Sequence, residues 1–332
     1  MTGWTIEPKA TALHSALTLC DMTLPWTASA LNSEAKTLPR FPKAGVTFVS
    51  LSLGVDSMGL ETTIRHIAAE RRRFLSHPGR YVLVETVADI RRAKAEGMLA
   101  IGFNFQGTNP LAGDTAMVEV YYKLGIRHML LAYNQRNLAA DGCHERTDGG
   151  LSRFGVALIE AMNRVGMIVD VTHTGYRSSM EAMEVSTAPV IFSHSNARAL
   201  KDHERNIRDD QIDACAKTGG LIGINGVGPF LGENDGSTAA YVRHVDYMVQ
   251  RVGAAHVGIG LDMVDEVEFW YAVFRGSPAM FPKGYPPPPW QFVQPEQLPE
   301  VTEALMKLGY GERDVRGVMG ENFLRVAAAV WK

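Results

Sequence analysis

Two histidines stand at the ends of consecutive apolar runs, and their type and spacing suit metal binding. His173 ends the run "MIVDVTH", and His194 follows the apolar residues of "PVIFSHS", 21 residues further along the chain. That interval matches one strand-and-helix step, which would place the two imidazoles side by side on neighbouring parallel strands. Two neutral imidazoles with a carboxylate nearby suit Zn²⁺ or a similar divalent ion. A hydrogen-bonded polar layer at the strand ends is the competing interpretation.

Polar residues also end most of the other apolar runs. In chain order these are Asp21 and Thr23 on the first run, Gln106 just past the third, Tyr133 on the fourth, Asn225 on the seventh and Asp262 on the eighth. Packing alone would favour apolar side chains at such positions. We therefore expect these residues to meet in one polar pocket.

The runs themselves predict eight strands, separated by segments of helical period. The predicted strands span 17–24, 46–53, 99–105, 128–134, 167–173, 189–195, 220–226 and 256–262. Segments such as "ETVADIRRAKAEG" and "LSRFGVALIEAMNRVG" lie between them, several ending at Gly as helices prefer. This alternation predicts one α/β domain over 1–332, a (β/α)₈ TIM barrel. An open doubly wound sheet is the alternative, although neither GxGxxG after the first strand nor GxxxxGK[ST] is present.

Composition excludes several classes of partner. The formal net charge is -3 over 332 residues, and no long Lys/Arg block occurs, which disfavours nucleic acid and anionic membranes. The N-terminus lacks a secretory pattern, and no apolar run is long enough to span a bilayer. Cys20, Cys143 and Cys215 are widely spaced, as reduced thiols would be. We expect a cytoplasmic protein with no membrane partner.

Two connections are longer than a barrel requires, at 134–150 after the fourth strand and 263–290 after the eighth. Long loops at these strand ends commonly carry lids and specificity elements. The first contains "DGCHERTD" (141–148), whose Cys143, His144, Glu145 and Asp148 could supply a further metal ligand or could form a solvated loop. The aromatic stretch 269–290 is a candidate lid or subunit interface.

Five stretches carry a resemblance to a known family: 150–175, 188–200, 204–212, 257–263 and 320–326. They include "MIVDVTHTG", "APVIFSHSNARAL", "ERNIRDDQI", "VGIGLDM" and "GENFLRV". Together they resemble the renal (membrane) dipeptidase family of zinc peptidases, a branch of the amidohydrolase-like barrels. The resemblance runs from about residue 15 to the end of the chain. It implies a barrel of the metal-dependent hydrolase type and is compatible with a homodimer.

The resemblance also implies roles for particular residues. In the family, the histidines matching His173 and His194 bind one of two zinc ions. The arginine matching Arg205 holds the substrate carboxylate, as the paired donors of a guanidinium suit. The aspartate matching Asp262 serves as general base on the metal-bound water. Tyr133 and Asn225 are further candidates for substrate contact, and Tyr133 could also donate a hydrogen bond during the reaction.

Three departures from the family pattern affect the other zinc ion. The family's first strand ends in a His-x-Asp pair, where "DMTLPW" sets Asp21 and Thr23. The glutamate that bridges the two metals corresponds to Gln106, a neutral amide that bridges two cations poorly. Tyr133 replaces a substrate-contacting histidine. Asp21 could still bind a cation, but one zinc ion fits the remaining ligands better than two.

These observations favour a metal-dependent hydrolase using one Zn²⁺ to cleave a small amide that carries a carboxylate, such as a dipeptide or an N-acyl amino acid. An alternative is a metal-free barrel enzyme, an isomerase or lyase, in which Tyr133 and His173 carry protons. A small-molecule binding protein is a third interpretation. Loss of one metal's ligands motivates the metal-free enzyme, and the lidded mouth is consistent with a binding protein. Metal content would separate the metal-dependent hydrolase from both alternatives.

Overall fold

The computed structural model describes residues 3–26, 32–276, 278–285 and 287–332. Its parallel strands are β1 (Leu19–Pro25), β2 (Val46–Val55), β3 (Tyr81–Leu83), β4 (Leu99–Gln106), β5 (Ile126–Leu130), β6 (Ile168–Asp170), β7 (Val190–Phe192), β8 (Leu221–Asn225) and β9 (Val257–Gly260). They hydrogen bond in the order β2-β1-β9-β8-β7-β6-β5-β4-β3, and β2 also pairs with β4. That last pairing closes eight strands into a barrel, with β3 outside the ring. The predicted (β/α)₈ barrel is confirmed.

Helices connect the strands and cover the barrel. They are α1 (Pro8–Ser15), α2 (Arg40–Lys43), α3 (Leu60–Leu75), α4 (Val87–Glu96), α5 (Met117–Lys123), α6 (Arg153–Val165), α7 (Tyr176–Val185), α8 (Asp209–Lys217), α9 (Gly228–Leu231), α10 (Thr238–Val252), α11 (Val267–Gly276), α12 (Leu298–Lys307), α13 (Glu312–Arg316) and α14 (Asn322–Val330). Helix α6 begins where Ser152 Oγ accepts the Gly155 amide at 3.0 Å, and it ends at Gly166 with a left-handed φ of 93°. Across the described ranges, none of the helices has the length and apolar character needed to cross a bilayer.

All eight predicted strands match barrel strands, but three details differ. The predicted strand 128–134 lies earlier, at 126–130, because the chain leaves the sheet after Leu130. The Tyr133 amide then donates to Asp56 Oδ2 at 2.9 Å instead of pairing with a strand. The three-residue strand β3 escaped prediction because so short an apolar run has no readable period. In the predicted loop 263–290, helix α11 occupies 267–276, and Ser277 and Pro286 lie outside the described residues.

The barrel interior contains a connected set of polar side chains. Ser52 Oγ donates to Asn104 Oδ1 at 2.9 Å, and Asn104 Nδ2 donates to Ser50 Oγ at 2.8 Å. Ser50 Oγ lies 3.1 Å from His128 Nε2, and His128 Nδ1 lies 3.3 Å from Asp170 Oδ2. Hydrogen bonds satisfy the serine and asparagine side chains of this set, whereas His128 Nδ1 and Asp170 Oδ2 are close neighbours that form no hydrogen bond within the described residues. The set links β2, β4, β5 and β6 beneath the residues at the strand ends.

Two glycines allow the strands around His194 to approach each other. A Cβ on Gly260 would lie 1.9 Å from the Ser193 carbonyl oxygen, and one on Gly223 would lie 2.1 Å from the same atom. Only glycine fits at such distances. These positions on β8 and β9 therefore determine where the chain after β7 delivers Ser193 and His194.

Candidate active site

A cavity of about 400 Å³ opens at the carboxyl ends of the barrel strands. The sequence-predicted residues Gln106, Tyr133, His173, Arg205 and Asp262 all line it. Asn225, His194 and Asp21 lie directly behind the lining, each exposed by 1% or less. The structure thus brings together the candidates taken from the strand ends, as barrel geometry requires.

The two histidines lie just past the ends of the neighbouring strands β6 and β7, and their rings meet edge-on with centroids 5.2 Å apart. His173 Nδ1 donates to Asn134 Oδ1 at 2.8 Å, and His194 Nδ1 lies 2.8 Å from Ser193 Oγ. Each ring therefore keeps Nε2 available, and His194 Nε2 is buried with no hydrogen-bond partner in the described part of the chain. Orientation of Nδ1 by a polar neighbour is typical of metal-ligating histidines.

The electrostatic environment keeps both imidazoles neutral. Burial, and then the nearby Arg205 guanidinium, lower the pKa of His173 and the pKa of His194 well below the ordinary value. A neutral imidazole is the form that binds a metal ion. The pair is consequently ready to donate two nitrogen ligands at neutral pH.

Backbone strain coincides with the functional positions. His173 has a φ of 61° and Asp262 a φ of 54°, both in the left-handed region that residues other than glycine rarely adopt. Such strain persists where the surrounding structure imposes it, and it is concentrated at functional sites. In both residues the turn directs the side chain just beyond the end of a barrel strand.

Asp262 has the properties of a base that works near neutral pH. Asn225 Nδ2 donates to Asp262 Oδ2 at 3.1 Å. Burial raises the pKa of Asp262 to about 7, although Arg205 and the hydrogen bond from Asn225 oppose the rise. A base is most effective when its pKa lies close to the working pH.

Arg205 is a buried cation that forms no ion pair with an acidic side chain of the described residues. It is 3% exposed, its Nη2 donates to the His194 carbonyl oxygen at 3.3 Å, and its Nε has no hydrogen-bond partner within the described residues. The guanidinium lies 5.5 Å from the ring centroid of Phe230. Because an unpaired buried charge is costly, this arrangement favours the binding of an anion from solution.

Tyr133 packs against the histidine pair. Its ring stacks on His173 with centroids 4.0 Å apart and an interplanar angle of 22°. Burial raises the pKa of Tyr133 above its ordinary value, so the phenol keeps its proton. The hydroxyl can therefore donate a hydrogen bond into the cavity.

Few suitable donor atoms are present where a second metal ion would bind. Asp21 Oδ1 accepts the amides of Thr23 at 3.2 Å and Leu261 at 3.0 Å, and burial raises the pKa of Asp21 to about 7. Gln106 Nε2 donates to Ser52 Oγ at 3.0 Å, so this amide is held against β2. Compared with the imidazole, thiolate and carboxylate ligands that zinc prefers, a neutral amide and a carboxyl already hydrogen-bonded to two backbone amides fit a second zinc ion poorly.

At the histidine pair, the described residues would supply two ligands to a metal ion, His173 and His194. Among residues 3–26, 32–276, 278–285 and 287–332, no group of three or more His, Cys, Asp and Glu side chains could hold a metal. In the loop 141–148, Cys143 Sγ lies 3.5 Å from Asn134 Oδ1, and His144 packs edge-on against Tyr285. The suggestion that this loop supplies a replacement ligand is therefore not supported.

Sequence reasoning missed the residues that orient the histidines. Asn134 directly follows Tyr133, and Ser193 directly precedes His194. A polar residue next to each candidate ligand was the available signal, but the contact between Asn134 and His173 joins positions 39 residues apart. Sequence spacing does not reveal such a contact, because it depends on how the loop after β5 folds back.

The sequence of the chain is similar to those of known dipeptidases. A family model described as membrane dipeptidase (peptidase family M19) matches residues 28–272. The chain is 31% identical to an uncharacterized dipeptidase of Schizosaccharomyces pombe, over 81% of this chain and 62% of the relative. It is 29% identical to dipeptidase tcpJ of Claviceps purpurea, over 83% of this chain and 61% of the relative. The match thus spans about three fifths of the length of these curated relatives.

Solved structures share the architecture. A crystal structure of an amidohydrolase from Pseudomonas aeruginosa has a TM-score of 0.88 at 30% identity, covering 97% of this chain and 99% of the other. A metallo peptidase from Rhodobacter sphaeroides, liganded with a phosphinate mimic of the dipeptide L-Ala-D-Ala, has a TM-score of 0.79 at 18% identity, covering 95% and 99%. The second likeness concerns the fold alone. With most of its length matched by the family model, the chain belongs to the membrane dipeptidase family, peptidase family M19.

Proposed function

We propose that this protein hydrolyses the amide bond of a small substrate that carries a carboxylate, with one Zn²⁺ held by His173 and His194. The observation that carries the proposal is the buried Nε2 of His194, which lacks a hydrogen-bond partner within the described residues and faces a second neutral imidazole. A buried polar atom without a partner is costly, and a bound metal ion would remove that cost. Membership of a metallopeptidase family supports the same chemistry.

The residues of the chain would divide the work between binding and proton transfer. Arg205 would bind the substrate carboxylate through its paired donors and so align the scissile bond. Asp262, oriented by Asn225, would remove a proton from the attacking water and deliver it to the departing amine nitrogen. The Tyr133 hydroxyl would donate a hydrogen bond to the carbonyl oxygen as negative charge develops there. A zinc ion at the histidine pair would supply Lewis-acid polarisation and a lowered pKa for water.

The metal-donor atoms at the strand ends fit one zinc ion better than two. His173 and His194 would leave two coordination positions for water and substrate, one more than the three-ligand catalytic zinc sites leave. Asp21 already accepts two backbone amides, and Gln106 is neutral. We propose that neither residue holds a metal ion, and that Gln106 instead contributes a neutral hydrogen-bonding wall to the cavity.

Metal content and turnover of a histidine variant test the proposal. We expect about one zinc ion per chain after supply of Zn²⁺ and dialysis, and we expect His194→Gln to lose both the ion and amide hydrolysis. His256→Gln is the matched control, because this histidine contacts the Gly220 carbonyl at 2.9 Å, away from the cavity. Melting temperatures would establish that both variants fold. Normal hydrolysis by folded His194→Gln would refute the assignment.

A second candidate function is metal-free acid-base chemistry on a small carboxylate, as in an isomerase or lyase. It is favoured by the finding that no group of three metal-binding side chains exists within the described ranges. Asp262, with a pKa raised to about 7, and Tyr133 would then serve as base and acid. Turnover that survives removal of all metal with a chelator would favour this candidate over amide hydrolysis.

A further inference from the structure

The cavity contains few charges for recognising a substrate. Of the described residues that line it, Arg205 is the cation that can bind a carboxylate, and Asp262 is the single carboxylate. The residues outside the described part, at positions 1–2, 27–31, 277 and 286, include no Asp or Glu. A dipeptide with a free amino terminus carries both a carboxylate and an ammonium group. Arg205 can pair with the first, but the second requires an anion.

Asp262 cannot meet that requirement and also serve as the base. An ammonium group bound beside it would stabilise its charged form and reduce its basicity. Two other acids lie near the cavity without lining it. Asp21 is 0% exposed, and its Oδ1 accepts the Thr23 and Leu261 amides. Asp56 accepts the backbone amides of Tyr133, Thr108 and Asn109 and the side-chain amide of Asn137. Gln106 offers a neutral amide. A bound ammonium would therefore lie in the cavity without a dedicated partner, which is unfavourable.

One wall of the cavity is formed by apolar side chains, which we call the apolar wall. Six of the side chains that line it are Val55, Met58, Val264, Trp270, Val273 and Phe292. Helix α11 contributes Trp270 and Val273, and the Trp270 ring centroid lies 6.2 Å from that of Trp290. A wall of this kind binds alkyl or aromatic groups by burying apolar surface. The substrate portion that reaches it should thus be uncharged and apolar.

We infer that the substrate is an N-acyl amino acid with an apolar acyl group, and not a dipeptide with a free amino terminus. This inference rests on the proposed amide hydrolysis at the same site. Arg205 binds the carboxylate of the amino acid, and the scissile amide lies beside the histidine pair and Asp262. The acyl chain extends along the apolar wall, where it requires no counter-charge. Hydrolysis adds one water across the amide and releases a free carboxylic acid and the amino acid.

A matched pair of compounds tests this inference. N-(3-phenylpropanoyl)alanine is phenylalanyl-alanine with the α-ammonium replaced by hydrogen, so the two share the phenyl group, the amide and the carboxylate and differ only at that ammonium group. With both enantiomers of alanine, kcat/KM and Kd would be measured for each compound on zinc-supplied protein. We expect the acyl compound to have a higher kcat/KM and a lower Kd than the dipeptide, each by roughly tenfold or more. Equal or better binding and turnover of phenylalanyl-alanine would overturn the inference.

The two measurements separate this inference from the proposed function. If the acyl compound binds more tightly than the dipeptide but neither is hydrolysed, amide hydrolysis is refuted and the recognition of an apolar acyl group stands. If the acyl compound fails to bind while the dipeptide is hydrolysed, the substrate class is refuted and amide hydrolysis stands.

A variant of the apolar wall locates the acyl group. Trp270→Ala should lower kcat/KM for N-(3-phenylpropanoyl)alanine by roughly tenfold while leaving N-acetylalanine nearly unchanged, because only the longer group reaches the wall. Phe269→Ala is the matched control, since Phe269 neighbours Trp270 on α11 but is 39% exposed and does not line the cavity. An equal loss for both substrates would contradict the placement of the acyl group against Trp270.

Discussion

We expect Asp262 and Asn225 together to set the pH range in which the proposed site works. Burial raises the pKa of Asp262 to about 7, and the hydrogen bond from Asn225 opposes this by favouring the charged carboxylate. Since a base must be deprotonated, kcat/KM should fall as pH decreases through about 7. Asn225→Ala removes the opposing hydrogen bond, so the acidic limb should move to higher pH. A pH-rate profile of both proteins checks this, and an unchanged limb would exclude Asp262 as the titrating base.

The burial of Asp21 leads to a prediction about how the stability of the protein depends on pH. Because burial raises the pKa of Asp21 to about 7, the folded state holds this proton more tightly than the unfolded state does. Its contribution to stability is therefore full at low pH and is lost as pH rises through about 7. Asp21→Asn keeps an oxygen for the Thr23 and Leu261 amides and buries no charge. We expect the variant to be more stable than wild type at about pH 8, by on the order of 1 kcal/mol or more, and much less so at about pH 4, where the carboxyl holds its proton in the folded state and largely in the unfolded state.

Urea unfolding at both pH values, with and without Zn²⁺, would measure this difference. If Asp21 held a second zinc ion, Asp21→Asn would instead lose the stabilisation that the metal provides. A variant less stable than wild type only when zinc is present would thus contradict the assignment of a single ion. The same measurement distinguishes a buried neutral carboxyl from a metal ligand.

At the level of elements, the strands β8 and β9 position His194 through their glycines. A methyl group on Gly260 would lie 1.9 Å from the Ser193 carbonyl oxygen, so the strand would have to move. We expect Gly260→Ala to cost about 1–3 kcal/mol of stability and to reduce kcat/KM, because Ser193 orients the His194 ring. Gly79→Ala is the control, since a Cβ there would meet no atom within 4 Å. Denaturant melts and kinetics of the two variants check this, and full activity in Gly260→Ala would contradict it.

The strands of the barrel could be predicted from the sequence more completely than the side-chain contacts between different parts of the chain. Runs of Val, Ile and Leu identify buried strands because parallel strands are covered on both faces, and the 21-residue interval placed His173 beside His194 correctly. Asn134 was not recognised, because its contact with His173 depends on the path of the loop after β5. The burial of Asp21 and the apolar wall around Trp270 likewise depend on tertiary packing, which one sequence does not encode in its local pattern.

In the whole molecule, the two ends of the barrel have different tasks. The carboxyl ends of the strands carry His173, His194 and Asp262, whereas a separate hydrophobic cluster joins residues near the strand starts to helix α14. In that cluster the rings of Phe48 and Phe323 stack with centroids 5.1 Å apart, and both are 1% exposed. Barrels commonly separate stability from catalysis in this way.

This separation predicts opposite phenotypes for two aromatic substitutions. Phe323→Ala should cost about 3–5 kcal/mol of stability, because it leaves a cavity beneath Phe48, yet it should leave kcat/KM of the folded protein nearly unchanged. Trp270→Ala should alter substrate preference with little loss of stability, since Trp270 is partly exposed at the mouth. Denaturant unfolding and kinetics on both variants check the pair. A large loss of kcat/KM in folded Phe323→Ala would show that packing at the strand starts controls the geometry of the site, and would refute the division between the two ends.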